Sequence, residues 1–303
     1  MKVIVTGASG FIGQTLCRKL VALGHDVTPL SSKDANLTQS GSLSRFNNEE
    51  YERIFHLAAW TQAGDFCLYH PGEQWLINQQ INTTLLTWWQ RHQPQAKLIS
   101  FGTSCSYAAT GTLAEDKYLL GEPIDDLYVY AMTKRMLLIG QQALNRQFGL
   151  SYMTVIPSTV YGPNYDTSGK QLHFIFDLIR KILDMKHNNN AVILWGDGRQ
   201  RRELVFIDDF IRELIELDAS LENDIVNIGA GEDYSIREFA QLICEIVKID
   251  PEKVKYDTDR YVGAKSKKLD NTKLDKLLPN KVRTPLKEGL EITVTWMEKE
   301  LFV

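Results

Sequence analysis

Tyr130 and Lys134 stand four residues apart in the stretch YAMTK, and that spacing puts both side chains on one face of a helix, one turn from each other. A phenol has an ordinary pKa of about 10, so at neutral pH it exchanges protons readily only beside a cation. Lys134 supplies that charge and can also hold a ribose of a bound cofactor. Tyrosine–lysine pairs at this spacing arise by chance in many helices, so the segments before this one decide its meaning. The helix is predicted from about Tyr128 to Phe148. Ahead of it, Lys97 to Phe101 reads as a buried strand running into Gly102-Thr103-Ser104-Cys105-Ser106-Tyr107. Small polar side chains at such a strand end lie where open α/β sheets keep their reactive groups, outside the carboxyl ends of the strands.

The element that would bring a redox partner to this tyrosine is at the start of the chain. Residues 2–5 (KVIV) make a short apolar strand, TGASGFIG follows, and Phe11, Thr15, Leu16, Leu20 and Leu23 continue with helical spacing. Strand, glycine turn and helix in that order form a dinucleotide cradle. Gly7 permits the tight turn, Gly10 lets the backbone approach a pyrophosphate, and Gly13 lets the helix press on the strand. Ser9, Phe11 and Ile12 complete the loop and helix N-terminus, whose free N–H groups point at phosphate. The second strand, His25 to Leu30, ends in Ser31-Ser32-Lys33-Asp34. NAD enzymes usually place a carboxylate there for the adenosine ribose, whereas the hydroxyl of Ser32 and the cation of Lys33 suit a 2′-phosphate. NADP(H) is therefore expected rather than NAD(H), with Asp34 the residue that could reverse the choice.

Arg53 to Ala59 is a third expected strand, and Leu57, Ala58 and Ala59 fall where a cofactor would cross the strand ends. His56 reads as a structural histidine at the sheet edge. Residues 73–90 look helical, with Asn78 facing the cofactor and the pair Trp88-Trp89 suggesting core plus a subunit contact. In the second half, Tyr152 to Ile156 reads as a strand, 171–185 as a helix with Arg180-Lys181 near its end, and 192–198 as a strand and turn containing Trp195. Ser235 caps a helix from Ile236 to Val247. The fold class is thus α/β: a Rossmann-type doubly wound parallel sheet over residues 1–160, which some later segments rejoin, and a smaller α/β substrate domain over 161–303.

Composition sets the outer limits. With 303 residues, 44% hydrophobic and 24% charged, the chain can bury a sizeable core. A net charge of −4 gives no reason to expect nucleic acid. Cys17, Cys67, Cys105 and Cys244 are far apart without metal-ligand spacing, so no metal is expected and the thiols read as reduced, in a cytoplasmic protein. No apolar run reaches membrane length.

GASGFIG, HLAA, GTSCSY, YAMTK and VYGP together resemble the extended short-chain dehydrogenase/reductase family, which acts on nucleotide sugars, over nearly the whole chain. The resemblance implies that Thr103, four residues before Tyr107, is the third catalytic member, hydrogen-bonding the sugar ketone alongside Tyr130, with Ser104 as its competitor and substrate neighbour. It implies that Pro157, Thr159 and Val160 line the nicotinamide and sugar, that Arg202, ahead of Glu203 and Ile207-Asp208-Asp209, meets the substrate diphosphate, and that Lys181, Trp195 and Lys267 lie on the substrate side. A homodimer is implied, built on the helix of Tyr130 and the helix near 73–90. Among the subgroups the chain is most similar to the GDP-L-fucose synthases: Ser104-Cys105, His173 and LAEDKYLLGEP match. There Cys105 and His173 would act as acid and base at carbons 3 and 5. The chain departs from that subgroup in its arginine-free GASG turn, in Thr159, and in the loop Val262-Gly263-Ala264-Lys265-Ser266-Lys267. The implied activity is NADPH-dependent reduction of the 4-ketone of a nucleotide-linked, GDP-linked deoxy sugar, with or without 3,5-epimerisation. The alternatives are a reductase of a GDP-4-keto-heptose, an NAD-dependent 4-epimerase, and a dinucleotide-sensing scaffold.

Overall fold

The computed structural model describes residues 1–62, 66–123, 127–168, 171–259 and 265–302. In chain order the elements are β1 (Lys2–Thr6), α1 (Phe11–Ala22), β2 (Asp26–Leu30), β3 (Arg53–His56), α2 (Phe66–Tyr69), α3 (Pro71–His92), β4 (Lys97–Phe101), α4 (Tyr128–Phe148), β5 (Tyr152–Pro157) and β6 (Thr159–Tyr161). They continue as α5 (Phe174–Asn188), β7 (Ile193–Trp195), β8 (Arg201–Arg202), β9 (Leu204–Phe206), α6 (Ile207–Asp218), β10 (Asp224–Ile228), β11 (Tyr234–Ser235), α7 (Ile236–Val247), β12 (Lys255–Asp257), β13 (Ser266–Lys267), α8 (Thr272–Leu277) and α9 (Leu286–Phe302).

The main sheet is parallel, in the order β10-β5-β4-β3-β1-β2. A parallel sheet covered on both faces needs strands apolar on both sides, and Val3, Ile4 and Val5 are fully buried. The pleat sends them opposite ways. Val3, Val5, Ile99, Met153 and Val155 join the core under α1, α5, α6, α7 and α9. Ile4, Ile54, Leu98, Tyr152 and Ile156 join the other, with Leu85 and Trp89 of α3 and Leu138 of α4. Each such side chain contributes about 1.5–3 kcal/mol by leaving water. The chain runs outward from β1 to β2 and, by a crossover, to β3 on the other flank, so a crevice opens between the carboxyl ends of β1 and β3.

Three local expectations are corrected. The strand expected over 53–59 ends at His56, which lies inside the sheet between β1 and β4 rather than at its edge. Leu23 falls beyond the end of α1 and is half exposed. Trp88 and Trp89 are both buried in their own chain: Trp89 Nε1 donates to the Ala96 carbonyl at 2.8 Å and Trp88 Nε1 to Asn47 Oδ1 at 3.0 Å. On α3 the exposed large apolar groups are instead Trp75 and Leu76, and on α4 they are Tyr128, Met136, Ile139 and Phe148. The helix from Ile236 to Val247 forms with a reciprocal cap, Ser235 to Glu238. Beyond the main sheet, β8 joins β11 and β13, β7 pairs β12, and β6 pairs β9.

Candidate active site

A cavity of about 390 Å³ lies over the carboxyl ends of β1, β2 and β3. Gly7, Ser9, Gly10, Ser31, Ser32, Leu57, Ala58 and Ala59 are among its walls. Gly7 sits at φ +71°, and a Cβ on it would lie 2.7 Å from the Ala58 nitrogen. A Cβ on Gly13 would lie 2.3 Å from the Gly7 carbonyl oxygen, so helix and loop touch backbone to backbone there. No side chain caps α1, whose first N–H groups, at Phe11 and Ile12, are left for a ligand. The rings behave otherwise: Phe11 packs edge-on against Tyr165 and Phe176, with centroids 5.4 and 5.9 Å away.

The turn after β2 is closed by its own residues. Asp34 accepts from the Ser31 N–H at 2.9 Å and the Ser31 hydroxyl at 2.6 Å, and these bonds hold its carboxyl below the usual range. Its charge is therefore engaged within the turn. Ser32 lines the cavity and Lys33 lies exposed beside it. Asn78 is buried and fully engaged: Nδ2 donates to the carbonyls of Trp60 (2.9 Å) and Gln74 (2.8 Å), and Oδ1 accepts from Trp60 N–H (2.9 Å). It shapes the wall through Trp60.

At the end of β4 the chain makes a tight turn over Ser104–Ser106. Thr103 N–H donates to the Tyr118 hydroxyl (3.2 Å), and Thr103 Oγ1 accepts from Cys105 N–H (3.3 Å). Ser106 Oγ donates to the Ala131 carbonyl (3.0 Å), fastening the turn to α4. Arg135, buried in α4, donates to the carbonyls of Ser106 (2.9 Å), Gly121 (2.7 Å) and Leu120 (2.9 Å). Thr103 also stands near enough to act on the Tyr130 phenol.

Burial raises the Tyr130 pKa, the charge of Cys105 adds to the rise, and the bond to Thr103 opposes it. Burial also lowers Lys134, to about 8. The phenol is therefore neutral and proton-bearing near neutral pH, and the lysine is largely cationic. Burial, then the Lys134 charge, drive His56 down to about 3. The neutral ring bridges Thr6 Oγ1 (2.8 Å) and Asn82 Oδ1 (3.4 Å), and Asn82 Nδ2 donates to the Thr133 carbonyl (3.3 Å). The end of the glycine-loop strand is thereby linked to the helix of Tyr130.

The second half supplies the other wall. β13 runs parallel to β8 with Lys267 beside Arg202, and in-register neighbours share a face of the sheet. Lys267 Nζ lies 3.8 Å from Cys105 Sγ, and the Arg202 and Cys105 charges also interact. His173 is the N-cap of α5; burial, then the Lys267 charge, lower its pKa. Ser104, Cys105 and Lys267 line a cavity of about 160 Å³. Pro157 ends β5, and Thr159 and Val160 lie in β6 against β9. Trp195 ends β7, largely exposed. Lys181 falls in mid-helix, paired with Asp177 at 2.6 Å. Of the departing loop, 262–264 lie outside the described residues, as do 124–126 of the loop before α4.

Three supporting residues escaped the sequence reading. Tyr118 lies within LAEDKYLLGEP with nothing to single it out, Arg135 looks like a solvated charge next to Lys134, and Glu203 was noted only as the residue after Arg202. Glu203 is buried and accepts from the N–H groups of Gly231 (2.8 Å) and Leu269 (3.0 Å), tying β8 to the segment after β13. The nearest signal was its place directly after Arg202.

Residues 3–229 match the model of the NAD dependent epimerase/dehydratase family. The chain is 30% identical to a probable GDP-L-fucose synthase 1 of Oryza sativa subsp. japonica, over 97% of this chain and 91% of that protein. It is 28% identical to the GDP-L-colitose synthase of Yersinia pseudotuberculosis, over 99% of each. The crystal structure of a GDP-L-fucose synthetase from Naegleria fowleri bound to NADP superposes with a TM-score of 0.86 at 23% identity, covering 99% of this chain and 95% of that one.

Proposed function

Because the chain belongs to the NAD dependent epimerase/dehydratase family, we propose that it is an NADPH-dependent oxidoreductase that reduces the 4-ketone of a GDP-linked deoxy sugar. The observation that carries this reading is the turn after β4 fastened to α4, where Thr103 acts on the Tyr130 phenol one helical turn from Lys134, with the glycine-loop cavity over the ends of β1, β2 and β3. Tyr130 gives its proton to the ketone oxygen as hydride arrives on the carbon, Thr103 orients that oxygen, and Lys134 holds the cofactor ribose and stabilises the phenolate left behind. Gly7, Gly10 and the first N–H groups of α1 would hold the pyrophosphate. Ser32 and Lys33 favour a 2′-phosphate, since Asp34 is turned into its own loop. NADP is also what the Naegleria enzyme carries. Arg202 and Lys267 would meet the substrate diphosphate.

In the same reading, residues 1–160 form the cofactor part, rejoined by β10, and 161–303 the substrate part. Two chains pair through α3 and α4, where Trp75, Leu76, Met136 and Ile139 are exposed; sedimentation giving only monomer at micromolar concentration would refute the pairing. The four free thiols suit the cytosol. The deciding experiment is NADPH oxidation with GDP-4-keto-6-deoxymannose in deuterated water, the product read by NMR. Oxidation supports the reductase reading, and deuterium at carbons 3 and 5 adds epimerisation. Failure on this sugar together with turnover of a GDP-4-keto-heptose moves the substrate, not the chemistry.

A further inference from the structure

Cys105 and Lys267 stand far apart in the chain and meet in the cleft, Nζ to Sγ at 3.8 Å. Among the described residues no carboxylate stands within ion-pair distance of the Lys267 ammonium. Arg202, beside Lys267 on β8, also acts on the sulfur. The cation is not carried by a loose loop: the buried Glu203 carboxylate holds the Leu269 N–H, two residues beyond Lys267, at 3.0 Å. The remaining titratable groups that feel Cys105 are acids, namely Tyr130 on α4, Tyr118 and Cys67 on α2, and a negative sulfur keeps a proton on each.

We infer that Lys267 is a positioning residue for Cys105, its ammonium stabilising the thiolate and aiming it at the sugar, so that Cys105 serves as the base of a carbon inversion. This rests on the ketone-reductase reading above. The thiolate takes the proton from the carbon next to the ketone, and the C–H electron pair moves into an enolate with its charge on the ketone oxygen. Sulfur is left as thiol. A solvent proton added to the opposite face gives the inverted carbon, and the thiol returns its proton to solvent, so no redox equivalent is used. The same negative sulfur favours the protonated Tyr130 that the following reduction requires.

The test is alkylation of the full chain by iodoacetamide across pH, with each cysteine followed by peptide mass spectrometry. Cys17 and Cys244, pushed up to about 11 by burial, serve as internal references. Lys267→Met should raise the pH of half-maximal Cys105 alkylation by about one unit or more, while Lys267→Arg, which keeps the charge, should stay near the parent value. With substrate, Lys267→Met should lose deuterium incorporation at carbons 3 and 5 more than it loses NADPH oxidation. If Lys267→Met does not fold, Lys267→Gln gives the same readout. An unchanged alkylation midpoint in the folded uncharged variant overturns the inference and leaves Lys267 a diphosphate ligand only. Alkylation needs no substrate, so absence of any reductase activity would sink the functional reading without altering this result.

Discussion

At the cofactor end of the cleft, the groups that would meet a ligand are backbone N–H groups, glycines and short side chains from residues 6–13 and 30–38, with 57–59 beside them. At the substrate end, Cys105, His173, Arg202 and Lys267 arrive on four segments distant in sequence, and two of the four are charged side chains aligned by a two-residue strand pairing. The first end is held by close backbone packing, the second by hydrogen bonds of buried polar groups, chiefly Arg135 and Glu203. A site made of backbone tolerates side-chain change but not added volume. A site made of side chains tolerates volume but not lost charge. The helix of Tyr130 is where the two ends meet, through the turn after β4 on one side and the Thr6–His56–Asn82 chain on the other.

The comparison can be broken in order of effect. Tyr130→Phe should lower turnover by about a thousandfold, the usual scale for a lost proton donor, while both ligands still bind; retained turnover would remove the shared centre. Gly13→Ala places a Cβ 2.3 Å from the Gly7 carbonyl. Overpacking of about 2–3 kcal/mol should weaken NADPH binding by about 30- to 150-fold in a calorimetric titration, with nucleotide-sugar binding little changed. Arg202→Gln should do the reverse, raising the substrate KM by about ten- to thirtyfold and leaving NADPH affinity as it was. A variant that damages both affinities equally would show that the two ends are one cooperative unit.

The smallest expected effect separates activity from stability at Lys134. Burial holds its folded pKa at about 8 against the ordinary 10.5. Between those values the unfolded chain binds the extra proton, so the Lys134 contribution to stability is lost as pH falls through about 8 and grows as pH rises from there to 10.5. Activity should run the opposite way, because the cation is needed: kcat/KM for NADPH should fall by about tenfold per pH unit above about 8, and the limb should vanish in Lys134→Arg. A flat profile in the parent would show that the lysine charge does not serve the reaction.

The glycine loop, the end of β4, the helix of Tyr130 and the Ser235 cap were legible because each depends on neighbours in sequence: a period, a φ sign or a capping residue. The tryptophan pair was misjudged because helical spacing says that a face is buried, not which surface buries it. The bonds of Asn78 to the Trp60 backbone were not legible, because an amide on a helix has the same pattern whatever it meets.

By itself the sequence determined the alternation of strand and helix, the phosphate-ready turn and the Tyr–Lys spacing, since these follow from local backbone preference and periodicity. Only the tertiary structure decided that the turn after β4 is fastened to the helix of Tyr130, that Asp34 turns inward, and that Lys267 meets Cys105. Those outcomes depend on which side chains satisfy one another across long separations once water is excluded. Hydrogen-bond geometry and burial choose among neighbours that composition and spacing leave equivalent.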